Sequence, residues 1–252
     1  MTVAIPVPSF VWPIVFGANA LLIACLVLAV RRYGGVHARG LALGVGAALA
    51  AWCATMITLS ASGVFVAGTD RPPTIELGLL PPLVIGGLAL LLSRSVQAEA
   101  LAIPQPWLVA VQSLRMLGVV FVILLRDGVL PRQFALPAGW GDFVVGALAP
   151  VVALALMTER SWARPLAVAW NVLGIADLVV AVGMGALSAP SAIRVFHGTP
   201  STGAMAQLPL SMIPVFAVPI FLLLHLISLL GLIRARNPSL AHAPARTLRA
   251  RT

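Results

Sequence analysis

Along this chain the apolar positions come in long unbroken runs and the polar ones in short clusters between them, without the strict alternation of strands. A helix that crosses bilayer hydrocarbon needs about twenty consecutive apolar residues. Seven runs come near that length or pass it, at about 9–30, 41–65, 75–93, 106–125, 135–157, 165–187 and 207–233. The pattern predicts an all-α polytopic membrane helix bundle of about seven transmembrane helices over residues 1–233, with a basic disordered tail at 234–252. The third run is the shortest and holds Pro81 and Pro82, while the seventh holds Pro209, Pro214 and Pro219 and should be broken.

Composition sharpens this reading. Apolar side chains make up 60% of the chain and charged ones 9%, too few to clothe a soluble domain, which carries about a quarter charged residues. The net charge of +9 is made of sixteen arginines, since no lysine occurs. A retinal Schiff base is thereby excluded, because its amine must come from lysine. If the N-terminus lies outside, eleven arginines fall in cytoplasmic segments: 31, 32, 39, 94, 160, 164, 234, 236, 246, 249 and 251. Four fall in external loops: Arg71, Arg126, Arg132 and Arg194. That asymmetry predicts an N-out, C-in membrane protein, not a nucleic-acid binder. The basic tail is expected to lie near anionic lipid headgroups. The first run lacks a basic stretch before it and reads as a retained span.

Known chemical motifs are sparse. Cys25 and Cys53 lie in apolar runs and read as small fillers. His37, His197 and His242 fall in loops or tail, so paired histidines cannot hold a haem across the bundle, and no HExxH, GxSxG or phosphate-binding glycine pattern occurs. No cofactor is expected. The loop Ser188 to Ala206 is the longest before the tail, and Ile193, Val195 and Phe196 suggest a short interfacial helix in it.

The charges inside the runs carry the functional signal, because each costs on the order of 2.5–3.5 kcal/mol at the centre of a membrane helix. Arg115 lies in the fourth run with Gln112 three residues before it; Asp142 and Asp177 lie in the fifth and sixth. Each aspartate sits on a column of small residues spaced by four, Ala138–Asp142–Gly146–Pro150 and Asp177–Ala181–Gly185, which should turn both carboxylates into the bundle. A structural ion pair of Arg115 with one aspartate, helped by Gln112 and Asn171, is one reading. The other is that two carboxylates on one guanidinium leave surplus negative charge, able to exchange protons or bind a cation or amine. Which aspartate pairs with Arg115 stays open. His225, with Ser211, Pro214, Val218, Phe221 and Ser228 along its stripe, completes the set. Gly139–Gly146 and Gly174–Ala181 also echo each other at an offset of 35 residues.

The stretch from Gln112-Ser-Leu-Arg115 through Phe134-Ala-Leu-Pro137-Ala-Gly-Trp-Gly-Asp142 to His225-Leu-Ile-Ser228 resembles uncharacterised bacterial multi-pass membrane proteins. The resemblance implies a multi-pass protein of the bacterial plasma membrane whose last four spans are the working half, and brings no activity with it. The residues themselves favour binding or transport of a small solute or proton, with Gln112, Arg115, Asp142, Asn171, Asp177 and His225 as the site. A membrane enzyme acting on a lipid or quinone, or a non-catalytic membrane assembly subunit, are the alternatives, and the bundle is compatible with an oligomer.

Overall fold

The computed structural model describes residues 6–35, 37–66, 68–69, 72, 74–158 and 160–234; the expected tail, apart from Arg234, lies outside the described residues, as does Arg71. All regular structure among the described residues is helical. The helices are α1 (Val11–Tyr33), α2 (Ala38–Ala61), α3 (Glu76–Leu92), α4 (Arg94–Ala102), α5 (Gln105–Val111), α6 (Val120–Arg126), α7 (Arg132–Met157), α8 (Ala163–Ser188) and α9 (Val218–Arg234).

Among the described residues six helical stretches are long and apolar enough to cross a membrane: α1, α2, Gln105–Arg126, α7, α8 and Ile213–Arg234. The expected third span differs. Helix α3 has only 17 residues and turns by 99° into α4, so a seventh crossing exists only if the bent pair is counted. The bend has a local cause. Ser93 is extended and its hydroxyl accepts from Val96 N at 3.4 Å, capping α4, while Gln97 Nε2 donates to Leu90 O at 2.5 Å and occupies a carbonyl at the end of α3. The polar sequence RSVQAEALA then runs across the bundle end instead of continuing through it.

Helix α3 nevertheless runs alongside α9 and parallel to it, with Gly78 against Val215 and Gly86 against Leu223. At the end where α3 stops, Gly35 N donates to Glu99 of α4 at 3.3 Å, and Arg164, at the start of α8, donates to Leu232 O near the end of α9. Arg31, Arg32, Arg39, Arg94, Arg160, Arg164 and Arg234 all belong to the segments that meet at this end.

Helix α9 and the turns before it form the enclosed axis. Leu210, Met212, Val215 and Phe216 have no exposure. In contrast, Leu80, Ile85, Leu91 and Leu92 of α3 are at least half exposed, as side chains that face lipid tails should be. The prolines break the seventh run as expected: residues 208–211 are turns, Ile213–Ala217 is a π-type segment, and a sustained α-helix starts only at Val218. Pro219 has no N–H to offer Val215 O, and the Trp52 indole donates to that carbonyl instead, at 3.4 Å.

The expected interfacial helix around Ile193–Phe196 does not form. Val195 N and Phe196 N both donate to Leu187 O, at 2.9 and 3.0 Å, so the loop folds back to cap α8. Arg194 holds this turn by donating to Phe196 O at 2.9 Å and Gly198 O at 2.5 Å. The only helical turn in the loop is the short 3₁₀ segment Thr202–Ala206.

Candidate functional site

The span that carries Arg115 is not a uniform α-helix. Residues Gln112–Val119 form a 3₁₀ segment between α5 and α6, unusually long for that geometry. Three residues per turn eclipse Gln112, Arg115 and Gly118 on one stripe, and the first two are 1% and 2% exposed. Helix α7 lies almost backbone to backbone against this segment. A Cβ on Gly146 would sit 2.5 Å from Met116 N and 3.0 Å from the Arg115 carbonyl carbon, so only glycine allows the approach. Gly118 in turn leaves room for the Asp142 side chain.

That approach brings both aspartates to one guanidinium. Arg115 Nε donates to Asp142 Oδ1 at 2.8 Å, and Arg115 Nη2 donates to Asp177 Oδ2 in an ion pair. Nη1 donates to Gly174 O at 3.3 Å and lies 3.0 Å from His225 Nε2. The planar fork thus holds α7, α8 and α9 together from the Gln105–Arg126 span, using donors that point in different directions. The question left open by the sequence has a double answer: both aspartates pair with Arg115.

The network continues away from the charges with a fixed sense. A guanidinium cannot accept, so His225 Nε2 is the acceptor, and its Nδ1–H donates to Asn171 Oδ1 at 2.9 Å. Asn171 Nδ2 donates to Ala167 O at 2.8 Å and Ser228 Oγ at 2.9 Å, and Ser228 donates to Gln105 Oε1 at 2.7 Å. Trp170 covers the imidazole at 5.1 Å between ring centroids and donates to Val145 O at 3.1 Å. His225 and Asn171 are wholly buried, and both histidine nitrogens are committed. Replacing Asn171 with Leu orphans His225 Nδ1–H and costs about 1–3 kcal/mol. Thermal unfolding of the purified protein in detergent should show a lower midpoint; an unchanged midpoint would remove the bond from the account.

Gln112 is near the centre but not in it. Its Nε2 donates to Phe221 O at 3.1 Å, and its Oε1 is buried without a partner, so it ties the 3₁₀ segment to α9. The small-residue column of α7 holds from Ala138 through Gly146, but Pro150 is exposed. Sequence reasoning missed Gln105, which lies one residue before its predicted span, and Asn19, a single amide in the apolar run Val15-Phe-Gly-Ala-Asn19-Ala-Leu-Leu22. The argument that singled out Asn171 applies equally to Asn19.

Asp142 also lines two cavities. The larger, about 890 Å³ including space open to the outside, lies between the turn after α2, the start of α3, α7, α8, the loop after α8 and the broken start of the last span; its walls include Phe65, Phe134, Leu178 and Met205, and Glu76 lies among them. The smaller, about 560 Å³, lies between α1, the Arg115 segment and the broken part of the last span. His225 lines neither. Among the described residues no three His, Cys, Asp or Glu side chains are grouped as metal ligands.

These features define a multi-pass membrane helix bundle with a buried Arg–Asp–Asp–His centre next to two cavities. Residues 72–233 match the family described as Domain of unknown function (DUF8737), and the chain belongs to that family. The matched region begins just before α3 and holds the whole charged centre, while α1, α2 and Asn19 precede it. No curated protein and no solved structure matches the chain.

Proposed function

We propose that the protein binds and transports a small solute or proton, with Asp142, Arg115 and Asp177 as the charged centre. The observation that carries this reading is the meeting of two carboxylates on one guanidinium, with one of them, Asp142, in the wall of a cavity that opens outward; Asp177 is joined to it through Arg115. Asp142 Oδ1 and Asp177 Oδ2 are taken by Arg115, and the second oxygen of each accepts no hydrogen bond among the described residues. A fully ionised cluster carries one surplus negative charge, the complement of a proton or of a small cation such as an amine.

His225 is a positioning residue in this reading. Buried and bonded through both nitrogens, it holds the back of the guanidinium. A lipid- or quinone-directed enzyme using His225 as acid or base draws no support from a ring that reaches neither cavity. We place the protein in a bacterial plasma membrane by the resemblance noted above, with its N-terminus outside and its Arg-rich end in the cytoplasm by the arginine asymmetry. The larger cavity then faces outward.

The test is flux in proteoliposomes, following an imposed proton gradient and the uptake of a small organic amine. Asp142→Asn and Asp177→Asn should each slow whichever flux the wild type shows by about ten-fold or more, which corresponds to about 1.4 kcal/mol. Unchanged flux in both variants, or wild-type flux no greater than that of empty vesicles, rejects transport.

A further inference from the structure

The smaller cavity holds a polar group that the charged centre does not use. Asn19 is 3% exposed, its Nδ2 is buried without a hydrogen-bond partner, and it lines this cavity with Arg115 and Asp142. Leaving a buried amide donor unmade costs about 1–3 kcal/mol. Nothing in the charged network reaches Asn19: Arg115 spends its donors on Asp142, Asp177, Gly174 and His225. The remaining walls, including Leu22, Phe121, Val218 and Phe221, are apolar.

The polar groups in these walls restrict what can occupy it. A cation would meet the guanidinium and an amide donor, and an anion would meet the Asp142 carboxylate. A neutral hydroxyl satisfies both requirements, since its oxygen can accept from Asn19 Nδ2 and its hydrogen can donate to a carboxylate oxygen. We propose that the chamber between α1, the Arg115 segment and the last span is a second site, for an aliphatic molecule that carries one hydroxyl. The occupant differs from the solute of the larger cavity, and the two sites share only the wall around Asp142, Phe121, Leu178, Ile213 and Val218.

A photoreactive aliphatic alcohol, a diazirine derivative of octanol, tests this on the full chain in lipid nanodiscs. Labelling should concentrate on peptides from α1 around Asn19 and from residues 112–121, and octanol should protect them while octane does not. Asn19→Leu, close in shape but without the donor, should lose about ten-fold of the labelling. Protection by octane equal to that by octanol overturns the proposal, even if the variant fails to fold. So does labelling spread over the lipid-facing sides of α2 and α3. Undiminished labelling of a folded Asn19→Leu protein also overturns it, by showing that the amide faces only water. Protection by diacylglycerol below the octanol concentration assigns the site to a membrane lipid; protection by octanol alone assigns it to a free alcohol. No gradient is imposed, so failure here leaves the flux result untouched, and absent flux leaves this result standing.

Discussion

Arg115→Met should produce the largest loss of stability of any single substitution in the protein. The methionine fills much of the same space but withdraws donors from Asp142 Oδ1, Asp177 Oδ2, Gly174 O and His225 Nε2 at once. Removing one partner of a buried ion pair costs about 3–5 kcal/mol, and here one partner serves two carboxylates. Arg115→Lys should recover only part of the loss, because an ammonium is a compact charge and cannot present donors along three directions in one plane. The triple variant Arg115→Met, Asp142→Asn, Asp177→Asn makes the comparison sharp. Replacing a buried charge set as a whole is often close to neutral, so the triple variant should melt higher than Arg115→Met alone. Thermal melting in detergent measures all three; equal midpoints for wild type and Arg115→Met, or a triple variant below the single one, would refute the network as drawn.

The second large effect is steric. A methyl group on Gly174 would run into His225 Cε1 and Nε2 and lie 3.2 Å from Arg115 Nη1, and one on Gly146 would press on the backbone of Met116. Overpacking a filled core costs about 1–3 kcal/mol, and backbone cannot rotate away as a side chain can. Gly174→Ala and Gly146→Ala should therefore lower the melting midpoint, and Gly174→Ala should also disturb the guanidinium's contacts and any flux that depends on them. Gly183→Ala is the control, on the same helix as Gly174 with nothing within 4 Å of an added Cβ. Similar midpoints for all three alanine variants would mean that the close approach is not real.

These two sites also show how far the sequence could be read. Arg115, Asp142 and Asp177 were recognisable because hydrocarbon penalises charge wherever the chain places it, and the penalty depends on run length and composition, not on contacts. Small residues at intervals of four predicted that both aspartates turn inward, and α7 obeys this from Ala138 to Gly146. The three prolines in the seventh run foretold its break, since a missing N–H is a local fact. Where a neighbour supplies what the chain lacks, local reading failed. The 3₁₀ turn at Arg115 accompanies the glycine-mediated approach of α7. The loop after α8 spends its N–H groups on Leu187 O instead of on a helix of its own. The third run ends at a cap and a bend that its hydropathy does not reveal.

The sequence by itself determined that this is a membrane helix bundle, which end gathers the arginines, and which three charges lie inside the apolar runs. Each of these follows from solvation free energies summed along the chain. Only the tertiary structure decided that one guanidinium serves both aspartates, that His225 braces it and reaches neither cavity, and that Asn19 faces a separate chamber. Those outcomes depend on helix spacing of a few ångströms, set by glycines on one helix against the backbone of another. No single-chain pattern records that distance.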